Sequence, residues 1–149
     1  MMTMDTALSG VSHLGLDTSP LIYFVEAHAG YDTLVTNIFQ RFSDGRLVGV
    51  TSTITLTEVL VQPIRHGSHE LYQRYLTLLL NSYNFSTLPI DSVIAERAAD
   101  LRARYNLRTP DALQVAVALE NRCEAFVTND SGLKRVVELK VLVLDELSL

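Results

Sequence analysis

Four acidic residues stand out by their surroundings. Asp17 follows His13-Leu14-Gly15-Leu16, Asp130 follows Ala125-Phe126-Val127-Thr128-Asn129, Asp111 comes directly after Thr109-Pro110, and Glu58 lies among Ile54, Leu56, Val59 and Leu60. Gathered together, such carboxylates do one kind of chemistry well. Two like charges about 4 Å apart repel by roughly 4 kcal/mol at an effective dielectric near 20, so a cluster demands protons or cations. A hard divalent ion such as Mg²⁺ or Mn²⁺ prefers oxygen ligands and keeps several waters. Beside a phosphate ester, such an ion binds the phosphate oxygens, acidifies a water and steadies the leaving oxygen. Taken singly, three of the acids have plainer roles: Asp111 at a helix dipole, Asp130 capping a turn before Leu133, and Asp17 closing a strand–helix turn with Thr18 and Ser19. Glu58 resists such a reading, because a lone charge among apolar neighbours is costly.

The elements that must position these acids follow from turn and cap signals. His13 to Asp17 reads as a short strand, after which Ser19 offers an N-cap and Pro20 a first helical position, with the helix running toward Gly30. Asp32 can cap a helix carrying Leu34, Val35, Ile38, Phe39 and Phe42, ended by Gly45. Leu47 to Val50 is the next strand, and Ser52 or Thr53 starts a helix with Glu58 in it and Pro63 near its end. Helices are expected over 68–82, from an Asp91 cap to about Tyr105, and from Thr109; strands are expected over 85–90, 125–128 and 141–144. Residues 1–12 lack any period and read as a flexible leader, leaving 13–149 as a single domain. Strands that are short apolar runs and alternate with helices indicate an α/β fold, a central parallel sheet with helices on both faces. In such sheets ligands bind outside the carboxyl ends of the strands, where Asp17 and Asp130 fall.

Composition narrows the function. The chain has 149 residues, 48% hydrophobic and 19% charged, which excludes a disordered chain. Its one cysteine, Cys123, excludes a disulfide scaffold and reads as inert packing. No apolar run is long enough to cross a bilayer and no signal peptide is evident, so a cytoplasmic location is expected. Lys and Arg number 12 against 17 Asp and Glu, a net charge of −5, so any grip on nucleic acid must come from local positive charge or bound cations. The mean hydropathy of +0.19 fits either a well-filled core or a covered apolar face. Arg102, Arg104 and Arg108 precede Asp111, and Arg65 follows the helix of Glu58; they either hold phosphates or a partner's acids, or form a solvated face. His66 and His69 have no further ligand at zinc spacing, and no glycine-rich loop suits a bound nucleotide.

Leu16-Asp17-Thr18-Ser19-Pro20-Leu21-Ile22, Thr55-Leu56-Thr57-Glu58-Val59-Leu60, Asp111-Ala112-Leu113-Gln114-Val115-Ala116 and Phe126-Val127-Thr128-Asn129-Asp130, in that order, resemble the PIN domain. Within it the chain is most similar to the VapC-like toxin ribonucleases of bacterial toxin–antitoxin pairs, over residues 14 to about 144. The resemblance implies a three-layer α/β/α fold and a Mg²⁺- or Mn²⁺-dependent endoribonuclease acting on single-stranded or structured RNA. It places Asp17, Glu58, Asp111 and Asp130 on the family's acidic positions, and Thr18 or Ser19 and Thr128 on supporting hydroxyl positions. It further implies a homodimer silenced by a small antitoxin. At the fourth acidic position the chain offers both Asn129 and Asp130; Asp130 is the expected ligand, since a carboxylate binds a hard cation better than an amide. Asp17 and Asp111 are expected on the principal ion, with Glu58 and Asp130 completing the site, binding a second ion or orienting water. Two other readings stay open: a PIN-like module that binds RNA or protein without cutting, and another Mg²⁺-dependent α/β phosphoesterase, which fits poorly because position 19 is Ser.

Overall fold

Short β-branched and apolar runs, most of them ending at or near a capping side chain (Asp17, Ser52, Asp91, Asp130), build the centre of the molecule. The computed structural model describes residues 1–149. Five strands, β2 (His13–Leu16), β3 (Val48–Ser52), β4 (Phe85–Leu88), β5 (Ala125–Thr128) and β6 (Lys140–Val143), form one parallel sheet in the order β4-β3-β2-β5-β6. The chain leaves β2 in one direction for β3 and β4, and returns on the other side for β5 and β6. The strand order therefore reverses between β2 and β5, and the crevice at the carboxyl ends of that pair is where a parallel sheet opens to a ligand.

Helices cover both faces, as expected. One face carries α2 (Thr18–Val25), α3 (Asp32–Ser43), α4 (Thr53–Val59) and α6 (His69–Asn81), which bury Leu21, Val35, Ile38, Phe42, Val59 and Tyr75 against Leu14 and Leu16. The other face carries α7 (Ser92–Tyr105) and α8 (Thr109–Glu120), which bury Leu101, Val115 and Ala118 against Val50 and Phe126. Asp91 caps α7 with its side chain, as expected, and Ser68, expected as the first residue of the helix over 68–82, is the cap of α6. The helix after β3 is broken at Leu60: α5 (Val61–Arg65) follows α4 and contains Pro63, which the sequence places near the end of one continuous helix. The helix after β2 starts one residue after Asp17, which is itself the N-cap in place of Ser19.

Residues 1–12 are not a flexible leader. Met2–Thr3 (β1) pairs in parallel with Leu147–Ser148 (β7), and Thr3 caps the short helix α1 (Met4–Ala7). Met4, Ala7 and Leu8 fall on one side of that turn and are buried in the main core. Arg41 pairs with Asp5 at 2.5 Å, and Lys140 Nζ donates to the Ala7 carbonyl. Three apolar residues suffice to dock the segment, but one helical turn is too short to announce a period among polar neighbours.

Gly15 sets how closely α8 approaches the sheet: a Cβ there would stand 2.7 Å from Ala118 Cβ and 2.8 Å from the Phe126 ring. Gly15→Ala must push away the helix that carries Asp111, and is expected to lower stability by about 1–3 kcal/mol in urea unfolding. An unchanged midpoint would mean that this close approach does not exist.

Candidate active site

Asp17 sits at the switch point itself. Its backbone N–H donates to the Val127 carbonyl at 2.9 Å, joining the ends of β2 and β5. One carboxylate oxygen accepts from the Thr18 N–H at 2.9 Å and the other from the Thr128 hydroxyl at 2.7 Å. Burial raises the Asp17 pKa above its usual value; the bonds from Thr128 and Thr18 oppose that, and the charges of Asp111 and Glu58 add to it. The charges of three carboxylates thus meet here, two from the starts of α2 and α8 and one, Glu58, from the last turn of α4. Asp17 caps α2 and Asp111 lies in the first turn of α8, so both face helix N-termini, which offset part of their mutual repulsion.

Beneath the acids lies a buried polar network whose proton directions can be followed. Ser52 donates to Gln114 Oε1 at 2.6 Å, and Gln114 Nε2 donates to Thr18 at 3.0 Å and to Thr55 at 2.8 Å. Thr18 Oγ1 then donates to Glu58 Oε1 at 2.5 Å. Thr51 gives its proton to the Leu16 carbonyl at 2.9 Å and so receives that of Thr55 at 2.8 Å. Ser52, Thr55 and Thr51 are fully buried, and Gln114 is 3% exposed. Each hydroxyl has one proton and spends it once, so the network closes without an orphan. Spacing on the helices explains how it reaches the surface: Thr55 and Glu58 are three apart on α4, as are Asp111 and Gln114 on α8, so each pair shares a helix face.

Glu58 is exposed, with Thr55 and Val59 forming the buried side of α4. The expectation that it sits among apolar side chains is corrected: α4 turns its apolar neighbours to the core and Glu58 outward, so its position rests on the Thr18 hydroxyl. Asp130 caps the 3-10 turn Ser131–Arg135 with one oxygen, on Gly132 N–H at 2.9 Å, and its own N–H donates to Thr128 Oγ1 at 3.0 Å. Thr128 therefore links Asp17 and Asp130. Asn129 turns away from this group, its amide donating to the Tyr23 hydroxyl at 3.2 Å. Of the supporting hydroxyls, Thr18 and Thr128 are in place and Ser19 makes no side-chain hydrogen bond. Gln114 is the residue that sequence reasoning missed; the available signal is a lone amide in the apolar run of α8, one turn from Asp111.

The arginines separate cleanly. Arg102 donates to the Leu107 carbonyl, and Arg104 binds Asp100, Glu138 and the Tyr105 ring, so both serve the α7 end. Arg108 alone reaches the acids, 3.0 Å from Asp111 and within the field of Asp130 and Glu58. Its side chain is 78% exposed, and so free to exchange Asp111 for another anion. His66 and His69 are exposed, and burial pushes the Cys123 thiol up to about 12, which leaves it inert.

No three carboxylate, imidazole or thiol groups are drawn tightly enough to enclose an ion by themselves. The donors at the switch point are nonetheless all oxygens, of the kind that Mg²⁺ takes through one or two carboxylates while keeping water for the rest. In donor chemistry the residues fit a hard divalent ion.

A PIN domain family model matches residues 15–139. No curated protein matches the chain. Among solved structures it is similar to a toxin–antitoxin complex from Klebsiella pneumoniae, with 26% identity and a TM-score of 0.68 over 89% of this chain and 98% of that one. It shares its fold with VapBC2 from Rickettsia felis bound to a promoter DNA fragment (18% identity, TM-score 0.66, covering 88% of this chain and 98% of that one). The same holds for DNA-bound VapBC from Salmonella typhimurium (16% identity, TM-score 0.63, covering 90% and 98%).

Gln114→Leu keeps the volume and strands Ser52, Thr18 and Thr55. A loss of about 3 kcal/mol in urea unfolding is expected. A loss under about 0.5 kcal/mol would mean that the network is not what ties α8 to α4.

Proposed function

The chain belongs to the PIN domain family, and on that footing we propose that it is a divalent-metal-dependent endoribonuclease, the toxin of a toxin–antitoxin pair. The observation that carries this reading is the buried Asp17 carboxylate at the switch point, fixed by Thr18 and Thr128. A desolvated Asp17, with both oxygens already held, faces the charges of Asp111 and Glu58. Such an arrangement is uncomfortable without a bound cation, and the negative net charge makes the same demand before a polyanion can approach.

Asp17 and Asp111 would hold the principal ion, Mg²⁺ or Mn²⁺, with Glu58 and Asp130 completing the site or holding a second. When bound, the ion supplies phosphate binding, a more acidic water and stabilisation of the leaving oxygen. The chain's own residues do the rest. Thr128 and the Thr18 N–H fix the Asp17 carboxylate so that its orientation is set before substrate arrives. Glu58 accepts the Thr18 hydrogen bond on one oxygen, and its other oxygen, which accepts no protein hydrogen bond, would orient the attacking water. Arg108, released from Asp111, takes a phosphate oxygen. Attack by water in line with the bond leaves a 5′-phosphate and a 3′-hydroxyl.

By analogy with the toxin–antitoxin complex from Klebsiella pneumoniae, a small antitoxin is the proposed partner of a homodimer of this chain. No helix is long and apolar enough to cross a membrane, and the proposed place of action is the cytoplasm, where RNA is.

The purified chain should cut RNA in Mg²⁺ or Mn²⁺ and stop in EDTA, with 5′-phosphate ends. Asp17→Asn and Asp111→Asn should fall to background, and Thr128→Val by roughly 10–100-fold. Full activity in EDTA would refute the proposal. Because the Asp17 pKa is raised, its carboxylate protonates earlier as pH falls. In Thr128→Val the carboxylate loses a bond that favours its charged form, so the acid limb of the rate profile should move to higher pH. A limb that stays in place would separate the pH dependence from Asp17.

A further inference from the structure

Beside the carboxylates, the turn between α2 and α3 builds an aromatic shelf that the cleavage chemistry leaves unused. The rings of Tyr23 and Tyr31 stack with centroids 4.6 Å apart and planes 20° from parallel. His28 leans on both, at 4.8 Å and 5.0 Å. The core's own aromatic contacts are made by phenylalanines, whereas Tyr23 and Tyr31 are half-buried and His28 is exposed. Tyr23 lies six residues beyond Asp17 on the helix that Asp17 caps, about 9 Å along its axis. Asn129, which holds the Tyr23 hydroxyl, directly precedes Asp130. The shelf thus adjoins the site on two elements.

Its construction is costly in ways that a simple tether would not need. Ala27 is held in the left-handed region at φ 50°, where a side chain is disfavoured, and this turns His28 back over Tyr23. Gly30 N–H donates to His28 Nδ1 at 3.0 Å, which places the neutral ring's proton on Nε2, a donor with no protein partner. The buried Oδ1 of Asn129 meets no donor at all. Rotating that amide would only move the deficit to its nitrogen.

Charge decides what the shelf takes. Asp145 accepts from the Tyr31 hydroxyl, Asp32 follows Tyr31, and Asp130 follows Asn129. This surround repels phosphate and tolerates the neutral face of a ring. We propose that the Tyr23–His28–Tyr31 shelf stacks an unpaired nucleobase of the RNA, adjacent to the phosphodiester that is cut; the proposal rests on the nuclease reading above. Stacking on aromatic side chains is sequence-tolerant and strong enough to seat a single strand where basic residues are few.

The test is a fluorescence titration. A phosphorothioate-linked pentaribonucleotide carrying 2-aminopurine, which resists cleavage, is titrated with the full wild-type chain in Mn²⁺. Saturable quenching is expected. Tyr31→Ala and His28→Ala should each weaken it roughly tenfold, while Tyr31→Phe, which keeps the ring, should not. His28 is exposed, so its variant tests the shelf even if Tyr31→Ala unfolds. Absence of quenching by the wild type, or equal affinity in His28→Ala and wild type, would overturn the shelf. Quenching without RNA cleavage in Mg²⁺ or Mn²⁺ would overturn the nuclease reading and leave the shelf standing; cleavage without quenching would do the reverse.

Discussion

One buried amide holds the working edge of this molecule together. Gln114 accepts from Ser52 at the end of β3 and donates to Thr18 on α2 and Thr55 on α4. Three helices are thereby joined beneath the acids, with Asp17 and Asp111 at the N-terminal ends of α2 and α8 and Glu58 in the last turn of α4. A hydrogen-bonded amide suits this position better than an ion or an apolar group would. It is neutral, so it adds nothing to the crowding of negative charge, and its donors and acceptor point in fixed directions. Because every hydroxyl proton in the network has one destination, the final donation, from Thr18 to Glu58, has its direction fixed from below.

The same edge explains how an acidic protein can act on an acidic polymer. Asp17 is desolvated and faces two other carboxylates, and the helix N-termini at α2 and α8 offset only part of that repulsion. Arg108 is an exposed cation paired with Asp111. It satisfies Asp111 provisionally, and a divalent ion and a phosphate can each take one half of that pair. Neutral stacking at Tyr31 and His28 then supplies grip where further positive charge would compete for the acids.

Much of this arrangement was legible in the sequence. Short apolar runs ending in Asp17 and in Thr128-Asn129-Asp130 placed two strand ends on one edge, because parallel strands all deliver their carboxyl ends to the same side. The cap at Asp91 and the helix start at Ser68 were readable for local reasons: an oxygen side chain before a helical period has few other uses. What failed to show depended on long-range contact. Met4, Ala7 and Leu8 fill the core from a single turn, which has no period to detect. Gln114 stands out only as a lone amide in an apolar run, and its partners Ser52, Thr18 and Thr55 lie far away in sequence. Arg102, Arg104 and Arg108 are alike in sequence, and only packing reveals that two of them hold the end of α7. Glu58 was singled out for burial that it does not have; its neighbours are apolar, but they lie on the other side of the helix.

The claim beneath all of this is that distant carboxylates converge to form one cation site. Calorimetric titration of the metal-free chain with Mn²⁺ tests it directly. Saturable binding that is lost in Asp111→Asn and strengthened in Arg108→Ala, where the competing guanidinium is gone, is the expected result. Absence of saturable binding, or identical affinity in wild type and Asp111→Asn, would contradict it.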